Sequence, residues 1–317
     1  MSDSHSTAVT QHFRGQAATG RRFALSNTQF SIALLIPALA TLALTVLYPL
    51  LRGIYLSFHS YSLVDLASGI QWVGLENFRT LLGSQAYRAV WGTTLIFVAG
   101  SVGGQFLIGF ATALVLNQNL KQRNLFRGLL LMPWIVPTVV SALLWKWIFN
   151  QQYGIFNYVL QTVGLIPEFR AWIGDPSLAL SSIILANVWK GFPFHMIVLL
   201  AALQTSPLDI IEASVIDGAS ALQRFRYVFL PHLRYIIMID LLISIIWTFQ
   251  NFTTIWTMTE GGPVTATTTL AISIYRTAFQ AFDIGMGAAI GTIWLVVMLI
   301  FSVVFVRVIG GSSRLEV

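Results

Sequence analysis

Long apolar runs separated by short charged segments set the pattern of this chain. Six stretches, centred near Leu42, Val98, Pro137, Ala186, Ile246 and Val297, each supply the roughly 20 apolar residues that a helix needs to cross a bilayer. The pattern predicts six transmembrane helices and an all-α integral membrane fold. The first run, "ALLIPALATLALTVLYPLLRGIYLSF", far exceeds the roughly 7 to 15 residues of a secretory signal core and is expected to persist as a helix. Residues 1–28, rich in Ser, Thr, Gln and Ala, bury too little apolar surface to order themselves and are expected to form a mobile tail. The transmembrane domain is then 29–309, with a second tail at 310–317. Between the spans, the segments 60–87, 150–176 and 260–283 have room for surface helices, and "YGIFNYVLQTVGLI" has the helical spacing of one.

Composition agrees with that reading: 56% of residues are hydrophobic and 9% charged, with a mean hydropathy of +0.74. There is no cysteine, which sets aside disulfide, thiolate-metal and thiol redox chemistry. The net charge of +6 is spread between apolar segments, with no basic patch interleaved with aromatics, so it speaks for membrane topology and against nucleic acid. Basic residues gather in short cytoplasmic loops. With the N-terminus inside, the cytoplasmic segments hold Arg14, Arg21, Arg22, Lys121, Arg123, Arg127, Arg224, Arg226, Arg234, Arg307 and Arg314, which are 11 of the 18 Lys and Arg residues. On the other face, Arg79, Arg88, Arg170 and Arg276 stand among Asp65, Glu76, Glu168, Asp175, Glu260 and Asp283. Both termini are therefore expected in the cytoplasm.

The loop between the fourth and fifth spans, 206–232, is the longest mixed-polarity stretch in the interior. "SPLDIIEASVIDGASALQRFRYVFLPHLRY" opens with a helix start, Ser206 as N-cap, Pro207 at the first helical position and Asp209 in the first turn. Ile210, Ile211, Ala213 and Ser214 make a small, mostly apolar face. Gly218 interrupts the pattern, and a second segment runs through Phe225, Tyr227 and Val228 to Pro231, where the next span is expected to begin. Two short helices joined at a hinge are predicted, with an apolar face to be covered by headgroups or by a partner. Taken singly, Glu212 and Asp217 suit solvated or helix-terminal charges.

Together, Glu212, Ala213, Ser214, Asp217, Gly218, Ala219, Phe225, Leu230 and Pro231 resemble the EAA loop of the permease subunits of binding-protein-dependent, ATP-driven importers. The resemblance extends over nearly the whole chain: "YPLLRGIYLSFHSY", "WVGLENFRTLL", "RNLFRGLLLMPWIVPTVVSALLWKWIFN", "VWKGFPF" and "TEGGPVTATTTL" are similar to the carbohydrate subgroup that includes maltose and glycerol-phosphate permeases. It implies the six-helix type I importer permease fold and a loop that seats in a cleft of a cytoplasmic ATPase. It also implies a second homologous permease, two ATP-binding subunits that hold the ATP and Mg, and an extracytoplasmic solute-binding protein. No cofactor is expected on this chain. Unlike the maltose permease, this chain has no large periplasmic insertion, so shorter loops are left to meet the binding protein.

Polar residues within spans mark the first place to look for a solute path. On the fourth span Asn187, Lys190, Gly191 and Phe194 stand at i, i+3, i+4 and i+7, and on the fifth Ser244, Trp247, Thr248 and Asn251 repeat that spacing. Amides and hydroxyls beside aromatic rings suit a saccharide; the same residue types suit helix packing. The resemblance implies sugar contact around "GFPF" and in the span before "GGP", with Phe194 where the maltose permease has tyrosine and Lys190 where it has an apolar residue. For Lys190 three placements are open: a carboxylate partner, snorkelling, or an acidic solute. Asp240 is expected at the membrane interface and His195 in a packed or hydrogen-bonded role. Pro133 and Pro137 are expected to kink the third span, and "TEGGPVTATTTL" to break at Gly261, Gly262 and Pro263 before a short helix.

Two other classes compete. A gradient-driven transporter of a small polar solute calls for internal repeats, and the six spans show none. A membrane enzyme calls for clustered acids, histidines or a nucleophile, and the five histidines are scattered. None of Lys121, Lys146 and Lys190 follows a glycine, so a Gly-Lys-Ser/Thr phosphate loop is missing and the energy must come from another subunit or an ion gradient.

Overall fold

The computed structural model describes residues 27–118, 120–205 and 208–313. Residues 1–26 of the expected N-terminal tail, the expected helix start at Ser206 and Pro207, and Arg314 in the expected C-terminal tail lie outside them. The chain forms two units, up to Leu51 and from Arg52 onward. In the first, Asn27–Leu42 (α1) passes through a π-turn at Ala43–Leu47 into Tyr48–Ser57 (α2), which continues beyond Leu51. The Thr41 and Thr45 hydroxyls donate to the carbonyls of Pro37 at 2.9 Å and Thr41 at 2.8 Å, so each is satisfied within its own helix.

The second unit contains a two-residue antiparallel pair, His59–Ser60 with Gln71–Trp72, and then helices throughout. In chain order these are Glu76–Gly83 (α3), Gln85–Leu116 (α4), Arg123–Ile135 (α5), Thr138–Ile148 (α6), Ile155–Thr162 (α7), Ala179–Gln204 (α8), Leu208–Ile216 (α9), Ala221–Arg224 (α10), Leu230–Phe249 (α11), Thr253–Thr259 (α12), Leu270–Tyr275 (α13) and Ile284–Ser313 (α14). Among the described residues five helical runs are long and apolar enough to cross a membrane, Leu34–Ser57, Gln85–Leu116, Ala179–Gln204, Leu222–Phe249 and Ile284–Val308. The sixth expected span is the broken pair α5 and α6, which meet at 92°.

That break is sharper than the kink the sequence predicts, and it involves one proline instead of two. Pro133 sits inside α5 without ending it. Pro137 ends the helix: it has no N–H to give, and its ring holds Val136 extended, at ψ 132°. The fifth span also differs from expectation. It starts at Leu222, well before Pro231, and stops at Phe249, so its centre lies before Ile246. The expected second short helix of the loop is thus the first turns of this span. Pro231 is accommodated by a π-turn at Phe225–Phe229, where the Leu230 N–H donates to the Phe225 carbonyl. The expected surface helix exists as α7, and Asn157 on it is fully buried, accepting from the Trp172 indole at 2.8 Å and the Arg170 N–H at 3.0 Å. The expected break at Gly261–Pro263 and the following helix, α13, are also present.

α4 and α8 form the centre of the unit because small residues let them approach. A Cβ on Gly104 would lie 2.6 Å from a Val188 methyl, and one on Gly109 would lie 2.5 Å from the His195 Cβ and 2.7 Å from the Phe192 carbonyl. Two apolar clusters flank the midpoint of α8. One gathers Phe97, Val98, Ile183, Ala186, Phe249 and Ile255; the other gathers Ala113, Leu116, Met196, Leu199, Leu203 and Leu233. The stretch of α8 between them, from Asn187 to His195, carries the polar groups.

Candidate functional site

All eight residues of the two stripes line one cavity of about 300 Å³, at the low end of the roughly 300–1,000 Å³ usual for ligand sites. Asn187, Lys190, Gly191 and Phe194 come from α8 and Ser244, Trp247 and Thr248 from α11. Asn251 is not on the fifth span, as the spacing predicts, but in the turn after it. It reaches the same wall because its Oδ1 accepts the Thr254 N–H at 3.2 Å, at the start of α12, and its Nδ2 donates to Asn187 Oδ1 at 2.8 Å. Asn187 is buried, and its own Nδ2 has no partner among the described residues. The Phe194 and Trp247 rings lie 5.1 Å apart and supply the apolar side.

Four further residues line the cavity, Gln105, Trp134, Thr138 and Thr254. Gln105 Nε2 donates to the Asn187 carbonyl at 2.9 Å, across the α4–α8 contact. Gly191 makes that possible, since a Cβ there would lie 2.4 Å from the Gln105 Cδ. These residues come from α4, the α5–α6 break and α12, far from the stripes in sequence, and no local spacing points to them.

Of the placements open to Lys190 in the sequence, a carboxylate partner is not found among the described residues. Its Nζ donates to the carbonyls of Val136 at 2.6 Å, Pro133 at 3.3 Å and Trp134 at 3.3 Å. The missing N–H of Pro137 leaves carbonyls at the end of α5 without helical donors, and a cation at a helix C-terminus also meets its dipole favourably. The lysine therefore closes the broken span.

Asp240 is not at an interface. It is buried against His195, which is fully buried: His195 Nδ1 contacts Asp240 Oδ2, and its Nε2 lies 3.2 Å from the Ser244 hydroxyl. The hydrogen-bonded role expected of His195 is present, in a chain that ends at the cavity wall. Its members are 45 and 49 residues apart, so only the packing of α8 on α11 reveals it.

The loop of the sequence analysis folds around Gly218, at φ +75°. Gly218 N–H donates to the Val215 carbonyl and Ala219 N–H to the Ser214 carbonyl, both at 3.0 Å, closing α9 with paired bonds that require a left-handed residue. Ser220 and Gln223 then cap the next helix reciprocally, the Gln223 Oε1 accepting the Ser220 N–H at 2.7 Å and the Ser220 Oγ accepting the Gln223 N–H at 3.4 Å. Glu212, Ala213, Asp217 and Gly218 are exposed, and so are the apolar side chains of Val215, Ile216, Leu222 and Tyr227, with Ile216 at 86%. Ser214 and Ala219 are partly covered. Phe225 faces inward, its ring 5.7 Å from that of Phe110 on α4, while Leu230 and Pro231 begin α11 on its outer side.

Comparison with known proteins adds an independent line. Residues 105–312 match the family described as binding-protein-dependent transport system inner membrane component. The chain is 34% identical over 275 residues to the trehalose/maltose transport system permease protein MalF of Thermococcus litoralis, covering 87% of this chain and 92% of that one. It is 33% identical over 288 residues to the sulfoquinovosyl glycerol transport system permease protein SmoG of Agrobacterium fabrum, covering 90% and 92%. Among solved structures, a bacterial alginate ABC transporter in complex with an alginate pentasaccharide-bound periplasmic protein matches with a TM-score of 0.75 at 24% identity, over 90% of this chain and 94% of that one.

Proposed function

The chain belongs to the binding-protein-dependent transport system inner membrane component family, and from that premise we propose how its cavity and hinged loop divide the work of a sugar-importer permease. It is a multi-pass membrane protein and the transmembrane permease subunit of an ATP-driven sugar importer. Its cavity is part of the solute path. The observation that carries this is the convergence of both polar stripes, from separate helices, on one space walled by amides, hydroxyls and two rings. Sugars present hydroxyl edges and apolar ring faces, which that wall matches.

The exposed α9–Gly218 loop is the docking element for ATP-binding subunits, two of which carry the ATP and Mg. A second homologous permease completes the path, and an extracytoplasmic binding protein delivers the solute. Supporting this set are the exposed apolar side chains at a hinge, the binding protein named in the family's description, and the periplasmic protein captured with the alginate transporter of the same fold. With Lys190 engaged by three carbonyls, and no other charged residue on the cavity wall among the described residues, a neutral or weakly acidic saccharide fits best.

The complex, copurified and placed in liposomes, should hydrolyse ATP faster when given binding protein with a sugar it takes up, chosen from maltose, trehalose and sulfoquinovosyl glycerol. Asn251→Ala should weaken that sugar several-fold in apparent affinity, since one neutral hydrogen bond contributes about 0.5–1.5 kcal/mol, and Trp247→Ala should weaken it by removing a stacking face, while assembly with the ATP-binding subunits stays intact in both. Wild-type uptake kinetics in both variants would place the stripes at helix contacts and not in the path.

From the charge distribution we expect the termini and Asp217 in the cytoplasm and the turn at Gly261 outside. The chain has no cysteine of its own, and Val264, in the same turn as the buried Gly261, is 85% exposed, so single cysteines at 217 and 264 report on the two faces. An impermeant thiol reagent added to intact cells should label Val264→Cys and spare Asp217→Cys. The reverse labelling pattern would invert the topology.

A further inference from the structure

The Asp240–His195–Ser244 chain is the buried titratable group that the transport reading does not use. His195 is 0% and Asp240 1% exposed, and Ser244 stands on the cavity wall. Two bare acceptors repel at hydrogen-bond distance, so a proton lies between Nδ1 and Oδ2. Burying a net charge costs far more than burying a neutral or paired group. The elements packed on the ring offer little to offset one. α4 meets it with Phe106 and Gly109. On α8 the other charged group, Lys190, is held by the α5 carbonyls. On α11 the ring faces Asp240 and Ser244, and His232 and Arg234 are two turns earlier.

A pair that is neutral as a whole has two forms, carboxylate with imidazolium, or carboxylic acid donating to a bare Nδ1. Both place a hydrogen on Nε2. The Ser244 oxygen then accepts from Nε2, and its own hydrogen is left for the cavity. We propose that Asp240 and His195 are positioning residues that fix Ser244 as a hydrogen-bond donor toward the cavity, so that this wall reads an acceptor oxygen of the solute. The proposal rests on the sugar-path reading and deepens it: the contact is to a ring, glycosidic, hydroxyl or anionic oxygen. It also disarms a nucleophile relay, because an Nε2 that carries a hydrogen has no lone pair with which to take the serine proton.

The test is nitrogen NMR on the assembled complex in nanodiscs, labelled with 15N-histidine, at pH 7. Of the five histidines, His195 is assigned by the signals lost in His195→Gln. A protonated Nε2 is expected; a bare Nε2 overturns the proposal, whatever the complex carries. In parallel, Ser244→Ala should raise the half-saturating concentration for the sugar taken up by the wild type roughly two- to tenfold, the range of one lost neutral hydrogen bond. Unchanged uptake in Ser244→Ala overturns the contact to solute even with Nε2 protonated. A wild-type complex that takes up none of the three test sugars, yet shows a protonated Nε2, overturns the sugar-path reading and not the donor.

Discussion

A Gly218→Val chain is expected to insert in the membrane and to lose both sugar uptake and copurification with the ATP-binding subunits. A Cβ at this position meets nothing within 4 Å among the described residues, so the substitution acts on the backbone and not by collision. At φ +75° an L-residue is strained by roughly 1–2 kcal/mol, and a β-branched one is a genuine outlier there. Valine should leave the left-handed region, break the paired bonds to Ser214 and Val215, and change the angle between α9 and the helix that starts after Ser220. Gly218→Asn is the control, because asparagine tolerates the left-handed region; it should keep most of the uptake. Glu212→Lys, on the exposed side of α9, should fail at the same step by charge reversal alone. Normal uptake and copurification in both Gly218→Val and Glu212→Lys would remove the loop from coupling.

Lys190→Met is expected to have the second large effect, on every solute alike. Methionine keeps the unbranched apolar stem, one atom shorter, and removes the donors, leaving the Val136, Pro133 and Trp134 carbonyls without the ammonium. Each carbonyl left without a donor costs on the order of 1–3 kcal/mol, less where cavity water replaces the lysine. The 92° break should lose its set geometry, seen as low yield of folded complex and as uptake reduced by an order of magnitude or more for neutral and acidic sugars equally. Loss confined to acidic sugars, with normal yield, would return Lys190 to the role of an anion partner.

Local periodicity made the two stripes and the hinge legible, because a helix puts i, i+3, i+4 and i+7 on one side and a left-handed turn calls for glycine. Asn251 was found by a rule that does not apply to it: the helix stops at Phe249, and the asparagine reaches the wall through Thr254 and Asn187. Contacts that close over long separations left no trace in spacing. Lys190 finds its carbonyls 54–57 residues away, and Asp240 meets His195 across 45. Pro133 and Pro137 look alike in sequence, yet only the second turns the chain.

The unbroken run from Leu222 to Phe249 has a mechanical consequence. Its 28 residues make a rod about 42 Å long at 1.5 Å per residue, with the hinge turn at one end and Asn251 just past the other. A rod of that length pivoting at its loop end through about 5° swings its far end by almost 4 Å. A stroke of that size would part the 2.8 Å hydrogen bond from Asn251 Nδ2 to Asn187 Oδ1, so an angular input at the loop would reach this wall of the cavity magnified by the length of the helix.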